Sequence, residues 1–122
     1  MPKDALSEKD VNDESDCSGD RTVDVLPLLR AIGTARKEYG LAAEEMLIFL
    51  AVGRLGLRRV SYAATIWPVT CLEISELLEI PRETVRRKTG RLIKCGLVSA
   101  TGRGFLLNDI AHWRRLAGQL HE

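Results

Sequence analysis

Apolar side chains recur at every third or fourth position over most of the chain, the spacing of helices that bury one face. This pattern predicts a first helix over about 24–39, with Asp24 near its start and Gly40 at its end. A second helix is predicted over about 42–57. Because its middle turns are apolar on nearly all sides, it is expected to be the central helix of the fold.

The C-terminal half predicts a helix, a tight turn, a second helix and then a hairpin. Apolar positions within 72–78 indicate a short amphipathic helix, which Pro81 interrupts. The next helix is predicted over about 82–95. Two strand-like runs within about 97–107 flank a turn that contains two glycines, which predicts a hairpin. A last helix is predicted over about 109–121.

Residues 58–70, between the second predicted helix and the C-terminal half, have a weaker pattern of apolar positions. Residues 61–66 are interpreted as a helical turn, and Trp67 with the proline after it as an extended break. Residues 69–70 suit a short strand, and the Trp67 indole is expected to lie in the core. The predicted fold class is therefore mainly α with a small β-hairpin.

Charge is distributed unevenly along the 122 residues, although the net charge is only +1. Residues 1–20 carry seven acidic side chains and two lysines, a balance of −5, with few large apolar residues. Such a composition predicts a disordered acidic tail over 1–21, followed by one folded domain over 22–122. Residues 82–115 carry nine basic and two acidic side chains, a balance of +7 that favours a polyanionic partner.

The sequence lacks the signals of several other function classes. It has no glycine motif for phosphate or dinucleotide binding, and its two histidines have no ligand partner at metal-binding spacing. The three cysteines are far apart and form no C-x-x-C pair, so neither a metal site nor a disulfide framework is predicted. No apolar run is long enough for a membrane span or a signal peptide. The expectation is a soluble, cytoplasmic protein that is not an enzyme and uses no cofactor.

Residues 74–87, with the sequence ISELLEIPRETVRR, resemble the helix-turn-helix of bacterial transcription regulators. Residues 92–103, LIKCGLVSATGR, look like the helix end and the wing of the same proteins. The run Arg-Glu-Thr-Val-x-Arg, here residues 82–87, is similar to the start of the recognition helix in the cyclic-AMP receptor protein family. The likeness covers roughly residues 69–108 and implies a winged helix-turn-helix with additional N- and C-terminal helices.

Two features depart from that family. Residues 1–68 are too few, and too helical in pattern, for its cyclic-nucleotide-binding β-roll. The turn position where the family often places glycine is Glu79, which adopts a left-handed backbone less readily. The flanking helices resemble small regulators of the multiple-antibiotic-resistance type, in which terminal helices pair two subunits. A homodimer through the first and last helices is therefore expected.

The resemblance implies sequence-specific binding to double-stranded DNA, most simply for transcriptional regulation, with the helix over 82–95 in the major groove. It assigns base contacts to Arg82, Glu83 and Arg87, because Arg pairs with guanine and Glu accepts from cytosine. Contacts with phosphate are assigned to Thr84, Arg86, Lys88 and Arg91. Arg103, at the tip of the hairpin over 97–107, is assigned to phosphate or to a minor groove.

A different function remains open from the sequence alone. A winged helix also serves as a protein–protein interaction module, because a fold does not determine a function. The acidic tail is suited to binding a basic protein partner, or to folding back over the basic helix. Salt dependence distinguishes the two functions, since contacts with several phosphates weaken steeply as salt rises.

Overall fold

The computed structural model describes residues 24–60 and 63–120, so the predicted tail over 1–21 lies outside the described residues. The described chain forms five helices and two antiparallel hairpins. The helices are α1 (Leu26–Tyr39), α2 (Ala43–Gly56), α3 (Cys71–Leu78), α4 (Arg82–Lys94) and α5 (Ile110–Gln119), and the strands are β1 (Leu57–Val60), β2 (Ala63–Ile66), β3 (Val98–Thr101) and β4 (Gly104–Leu107). The prediction of a mainly helical fold with a small hairpin is confirmed, and the predicted helix positions are close to the observed ones.

Two helix ends are determined by residues that the sequence singles out. Gly40 ends α1 in the left-handed conformation, with φ 69°, and its N–H donates to the Arg36 carbonyl. Asp109 begins α5, where its side chain accepts a hydrogen bond of 3.1 Å from the His112 N–H. Both predictions of helix boundaries are confirmed.

The central helix α2 organises the core, as its apolar pattern predicts. Its side chains Met46, Ile48, Phe49 and Val52 are fully buried. The flanking helices add Ala31, Ala35 and Leu116 to the same apolar cluster, which also contains residues of α3, α4 and both strands of the second hairpin. The helices at the two ends of the described chain therefore share one core with the central module.

The prediction of a helical turn over residues 61–66 is wrong for its described part, residues 63–66. Instead of a helical turn, β2 pairs with β1 in an antiparallel hairpin, in which Arg58 lies opposite Thr65 and Leu57 opposite Ile66. The physical reason is the cross-strand pairing, which rewards β-branched side chains and outweighs the helical propensity of the two alanines that open β2.

The expectation of a buried Trp67 is wrong too. Its side chain is 47% exposed, because the β1–β2 hairpin lies on the outside of the core. Val69, predicted as part of a short strand, does pair with Phe105 through two backbone hydrogen bonds of 2.8 and 2.9 Å. A single bridge thus joins the segment before α3 to the β3–β4 hairpin.

Candidate nucleic-acid interface

Helix α3 begins with a reciprocal cap. The Thr70 hydroxyl accepts from the Glu73 N–H at 3.1 Å, and the Glu73 carboxylate accepts from the Thr70 N–H at 2.9 Å. The spacing T-x-x-E is the sequence signal of this capping box. It is visible in the sequence and identifies the start of α3 more sharply than the apolar pattern does.

The turn between α3 and α4 depends on an unusual backbone conformation at Glu79. With φ 59° and ψ 44°, Glu79 is left-handed, and it is the one non-glycine residue with positive φ in the described part of the chain. The turn is held by the Ser75 hydroxyl, which donates to the Ile80 carbonyl at 2.5 Å, and by the Ile80 N–H, which donates to the Ser75 carbonyl at 3.2 Å. These contacts fix the direction in which α4 leaves α3.

Helix α4 has one apolar side and a strongly basic remainder. Val85, Thr89 and Leu92 are fully buried and lie within about 60° of one another around the helix axis. The Thr89 hydroxyl is satisfied by the Val85 carbonyl at 2.5 Å, so its burial leaves no polar group unpaired. Because this side packs into the core, the opposite side faces solvent.

The three residues assigned to base contacts lie on the exposed part of α4. Arg82, Glu83 and Arg87 are all exposed, and they occupy its first two turns. Glu83 is paired with Arg86 of the same helix, and the two side chains are 72% and 67% exposed. An ion pair this exposed contributes little stability, so both groups stay available to a ligand.

Besides Arg86, which pairs with Glu83 inside α4, two of the four residues assigned to phosphate contacts bind residues outside α4. The Lys88 ammonium lies 3.6 Å from the Glu44 carboxylate at the start of α2. The Arg91 guanidinium donates to the Gly40 carbonyl at 2.9 Å, where α1 ends. Sequence reasoning missed these contacts, because both acceptors are more than forty residues away in the chain. Thr84 lies on the same flank of α4 and is half-buried.

The β3–β4 hairpin presents Arg103 at its tip. Val98 pairs with Leu107 and Thr101 with Gly104, which leaves Gly102 and Arg103 as the turn, and Arg103 is exposed. A Cβ at Gly104 would lie 2.6 Å from the Val69 carbonyl oxygen, so glycine is required where this hairpin meets the segment before α3. The Leu97 N–H donates to the Leu92 carbonyl at 3.0 Å, which fastens the hairpin to the end of α4.

Two groups whose pKa values differ from the ordinary ones, Asp109 and Tyr39, lie away from α4, at the seam between α1 and α5. The hydrogen bond from His112 holds the pKa of Asp109 below its ordinary value. Burial raises the pKa of Tyr39, and the neighbouring Glu38 carboxylate adds to the effect. The Tyr39 ring meets His112 edge-on at 4.9 Å. The seam is therefore a polar contact between two helices and contributes no group to the exposed side of α4.

The described residues contain no cluster of three or more His, Cys, Asp or Glu side chains suited to holding a metal ion. No helix within residues 24–60 and 63–120 has both the length and the apolar character needed to cross a bilayer. Comparison with protein-family models, with curated protein sequences and with solved structures gives no match.

Proposed function

We propose that this protein binds double-stranded DNA sequence-specifically as a winged helix-turn-helix and regulates transcription. In this proposal α3 and α4 form the helix-turn-helix, α4 enters the major groove, and the β3–β4 hairpin is the wing. The order of these elements, with a tight turn between the helices and a hairpin after them, is that of the motif. The sequence resemblance over residues 69–108 supports the same assignment.

One observation carries the proposal: the first two turns of α4 place Arg82, Glu83 and Arg87 in solvent, and Glu83 and Arg87 lie opposite the side that packs into the core. The N-terminal turns of a recognition helix are the part that reaches base edges. Arginines there suit guanine, and Glu83 suits the amino group of cytosine. Arg103, exposed at the hairpin tip, is then suited to a phosphate or to an adjacent minor groove.

The first test is selection of bound duplexes from a random DNA pool at two salt concentrations, followed by titration of variants on the selected site. Arg87→Ala should cost about 1–3 kcal/mol on that site and relax the preference at one position. Arg103→Ala should weaken binding to all sequences alike and reduce the salt slope by about one unit. Arg114→Ala, which removes an exposed arginine of α5, is the matched control and should change neither. Binding that neither Arg87→Ala nor Arg103→Ala alters would contradict the proposal.

A homodimer is part of the proposal, since two half-sites supply the affinity that a single short site lacks. The start of α1 leaves Leu26 and Leu29 46% and 57% exposed, and Leu120 after α5 is 39% exposed. These side chains stay exposed while Ala31, Ala35 and Leu116 are buried in the core, and a second copy of the chain would cover them. Light scattering at tens of micromolar tests this part, and a monomer mass would refute it.

A protein-interaction function also has a specific observation in its favour. Between α2 and α3 runs an apolar groove of about 290 Å³, lined by Leu47, Leu50, Ala51, Arg54, Leu77 and Leu78. Leu47 and Leu77 are 39% and 52% exposed there. Binding of a protein through this groove would depend little on salt, whereas DNA binding through α4 depends on it steeply.

A further inference from the structure

The β1–β2 hairpin is a basic element outside the helix-turn-helix. Residues 57–67 contain Arg58 and Arg59 and no acidic residue. Both arginines are exposed, and successive strand residues point to opposite faces, so each face of the hairpin presents one guanidinium group. The two strands pair only with each other, so they form a two-stranded ribbon that is separate from the β3–β4 sheet.

Trp67 holds one of these arginines in place. The Arg58 guanidinium lies over the Trp67 ring, 4.9 Å from its centre. The indole N–H donates to the Thr65 hydroxyl at 2.9 Å, and that hydroxyl donates to the Arg58 carbonyl at 3.3 Å. An isolated hairpin is barely stable in water, and this cross-strand cluster restricts both the ribbon and its cation. A cation ordered in this way loses less entropy when it binds a phosphate.

A short segment joins the ribbon to the proposed wing. Trp67 comes two residues before Val69, whose backbone pairs with Phe105 in β4. Because the pairing is antiparallel, Trp67 lies toward the Leu107 end of β4, about 14 Å along the hairpin from Arg103. A turn of B-DNA is about 34 Å long, so the ribbon and the Arg103 tip lie within one turn of each other.

We propose that the β1–β2 hairpin is a second contact with double-stranded DNA, in which Arg58 and Arg59 bind phosphates of the duplex and Trp67 positions Arg58. This inference rests on the proposed DNA-binding function and adds a second element to it. Contacts of this kind position a protein on the duplex backbone and leave the major groove to α4.

A nucleic acid fits this surface better than a protein does. Among the described side chains of the ribbon and its junction, the large apolar ones that are exposed are Ile66 and Trp67, 37% and 47% exposed, and two alanines and Thr65 make up the rest of β2. A stable protein interface needs about 800 Å² on each partner with an apolar centre, and these two side chains are few for such a centre. Its charge is entirely positive, which matches a phosphate backbone.

The test is a titration of the full chain with random-sequence duplex at four or more salt concentrations. The double variant Arg58→Ala with Arg59→Ala should lower the salt slope by about 1.8, that is, by about 0.9 for each lost phosphate contact. The double variant Arg36→Ala with Lys37→Ala removes the same charge from exposed positions of α1 and should leave the slope nearly unchanged. Arg58→Lys with Arg59→Lys keeps the charge and should keep the slope. A thermal melt of each variant confirms that the domain remains folded.

Trp67 gives an independent readout. Trp67→Ala should weaken binding about two- to fivefold, because Arg58 loses its stacking partner, and Trp67→Phe should retain most of the affinity. Random duplex should quench the tryptophan emission of the wild type and not that of Trp67→Phe, since Trp113 is packed against α2.

The outcomes separate the two proposals. If Arg87→Ala and Arg103→Ala weaken binding while the Arg58/Arg59 alanine pair behaves as the α1 control does, the hairpin contact is refuted and the proposed function stands. If the double variant Arg58→Ala with Arg59→Ala alters a salt-independent association with a protein and leaves the salt slope of DNA binding unchanged, the ribbon is a protein contact and the inference fails. If the wild type binds no duplex at all, both proposals fail.

Discussion

Replacing Glu79 by glycine should stabilise the protein. Glu79 has φ 59° and ψ 44°, a left-handed conformation that costs an L-residue about 1–2 kcal/mol and costs glycine almost nothing. Glycine makes the unfolded chain more flexible, which offsets about 0.4–1 kcal/mol of that gain. The expected net effect is about 0.5–1 kcal/mol in the free energy of unfolding. For a domain of this size the melting temperature should rise by about 2–8 °C.

Two further variants isolate the backbone effect at Glu79 from the effect of its charge. Glu79→Ala removes the carboxylate and keeps the Cβ that causes the strain, so its melting temperature should stay close to that of the wild type. Glu79→Asn, which tolerates the left-handed region better than most residues, should fall between the alanine and glycine variants. Thermal melts followed by circular dichroism provide the measurement. If the alanine and glycine variants shift the melting temperature equally, the charge is responsible and the strain argument is refuted.

Three other predictions concern packing and pH. Gly53→Ala should destabilise the protein by about 1–3 kcal/mol, because the new Cβ would lie 1.9 Å from the Trp113 indole nitrogen and displace its hydrogen bond with the Leu50 carbonyl. Gly33→Ala is its control, because a Cβ there meets no atom within 4 Å in the exposed middle of α1. This variant should stabilise the protein by about 0.5–1 kcal/mol. Equal melting temperatures for the two variants would contradict both predictions. Because the pKa of Asp109 is lowered in the folded state, its ionised form stabilises the protein above about pH 4, and this stability is lost as the pH falls through the folded-state pKa. The comparison is with Asp109→Asn, which retains a capping side chain but carries no charge. In melts from pH 2.5 to 7, the higher melting temperature of the wild type should approach that of the variant below about pH 4. A difference that stays constant with pH would show that the charge plays no part.

The helices could be predicted from the sequence because their signals are local. Apolar spacing, Gly40 and Asp109 lie within the elements they define, and the structure confirms the boundaries they indicate. The capping box of Thr70 and Glu73 is equally local, and attention to side-chain spacing would have found it. Propensity and periodicity operate over a few residues, so they succeed where a single element determines the structure.

Non-local interactions account for the errors. The β1–β2 hairpin exists because Arg58 and Thr65 meet across two strands, a pairing that no periodicity within residues 61–66 reveals. Trp67 is apolar enough for the core, yet it lies on the outside, where Arg58 covers one face of its ring. A strand pair and a stacking contact depend on neighbours that only the fold supplies, and the same holds for the contact of Arg91 with Gly40.

Several basic side chains of the C-terminal half already have partners within the protein, so fewer of them are free to bind phosphate. Of its basic side chains, Lys88 contacts Glu44, Arg91 contacts Gly40, and Arg115 forms a two-pronged contact with Glu38 at 2.6 Å. These groups hold α4 and α5 against the first two helices, and a phosphate would have to compete with their present partners. The exposed cations left on α4 and the β3–β4 hairpin are Arg82, Arg86, Arg87, Lys94 and Arg103. If the three that are not assigned to bases, Arg86, Lys94 and Arg103, each neutralise one phosphate, the salt slope per subunit is about −2.7, and two contacts from the β1–β2 hairpin would steepen it to about −4.5. A measured slope near either value therefore indicates whether one basic surface or two engage the duplex.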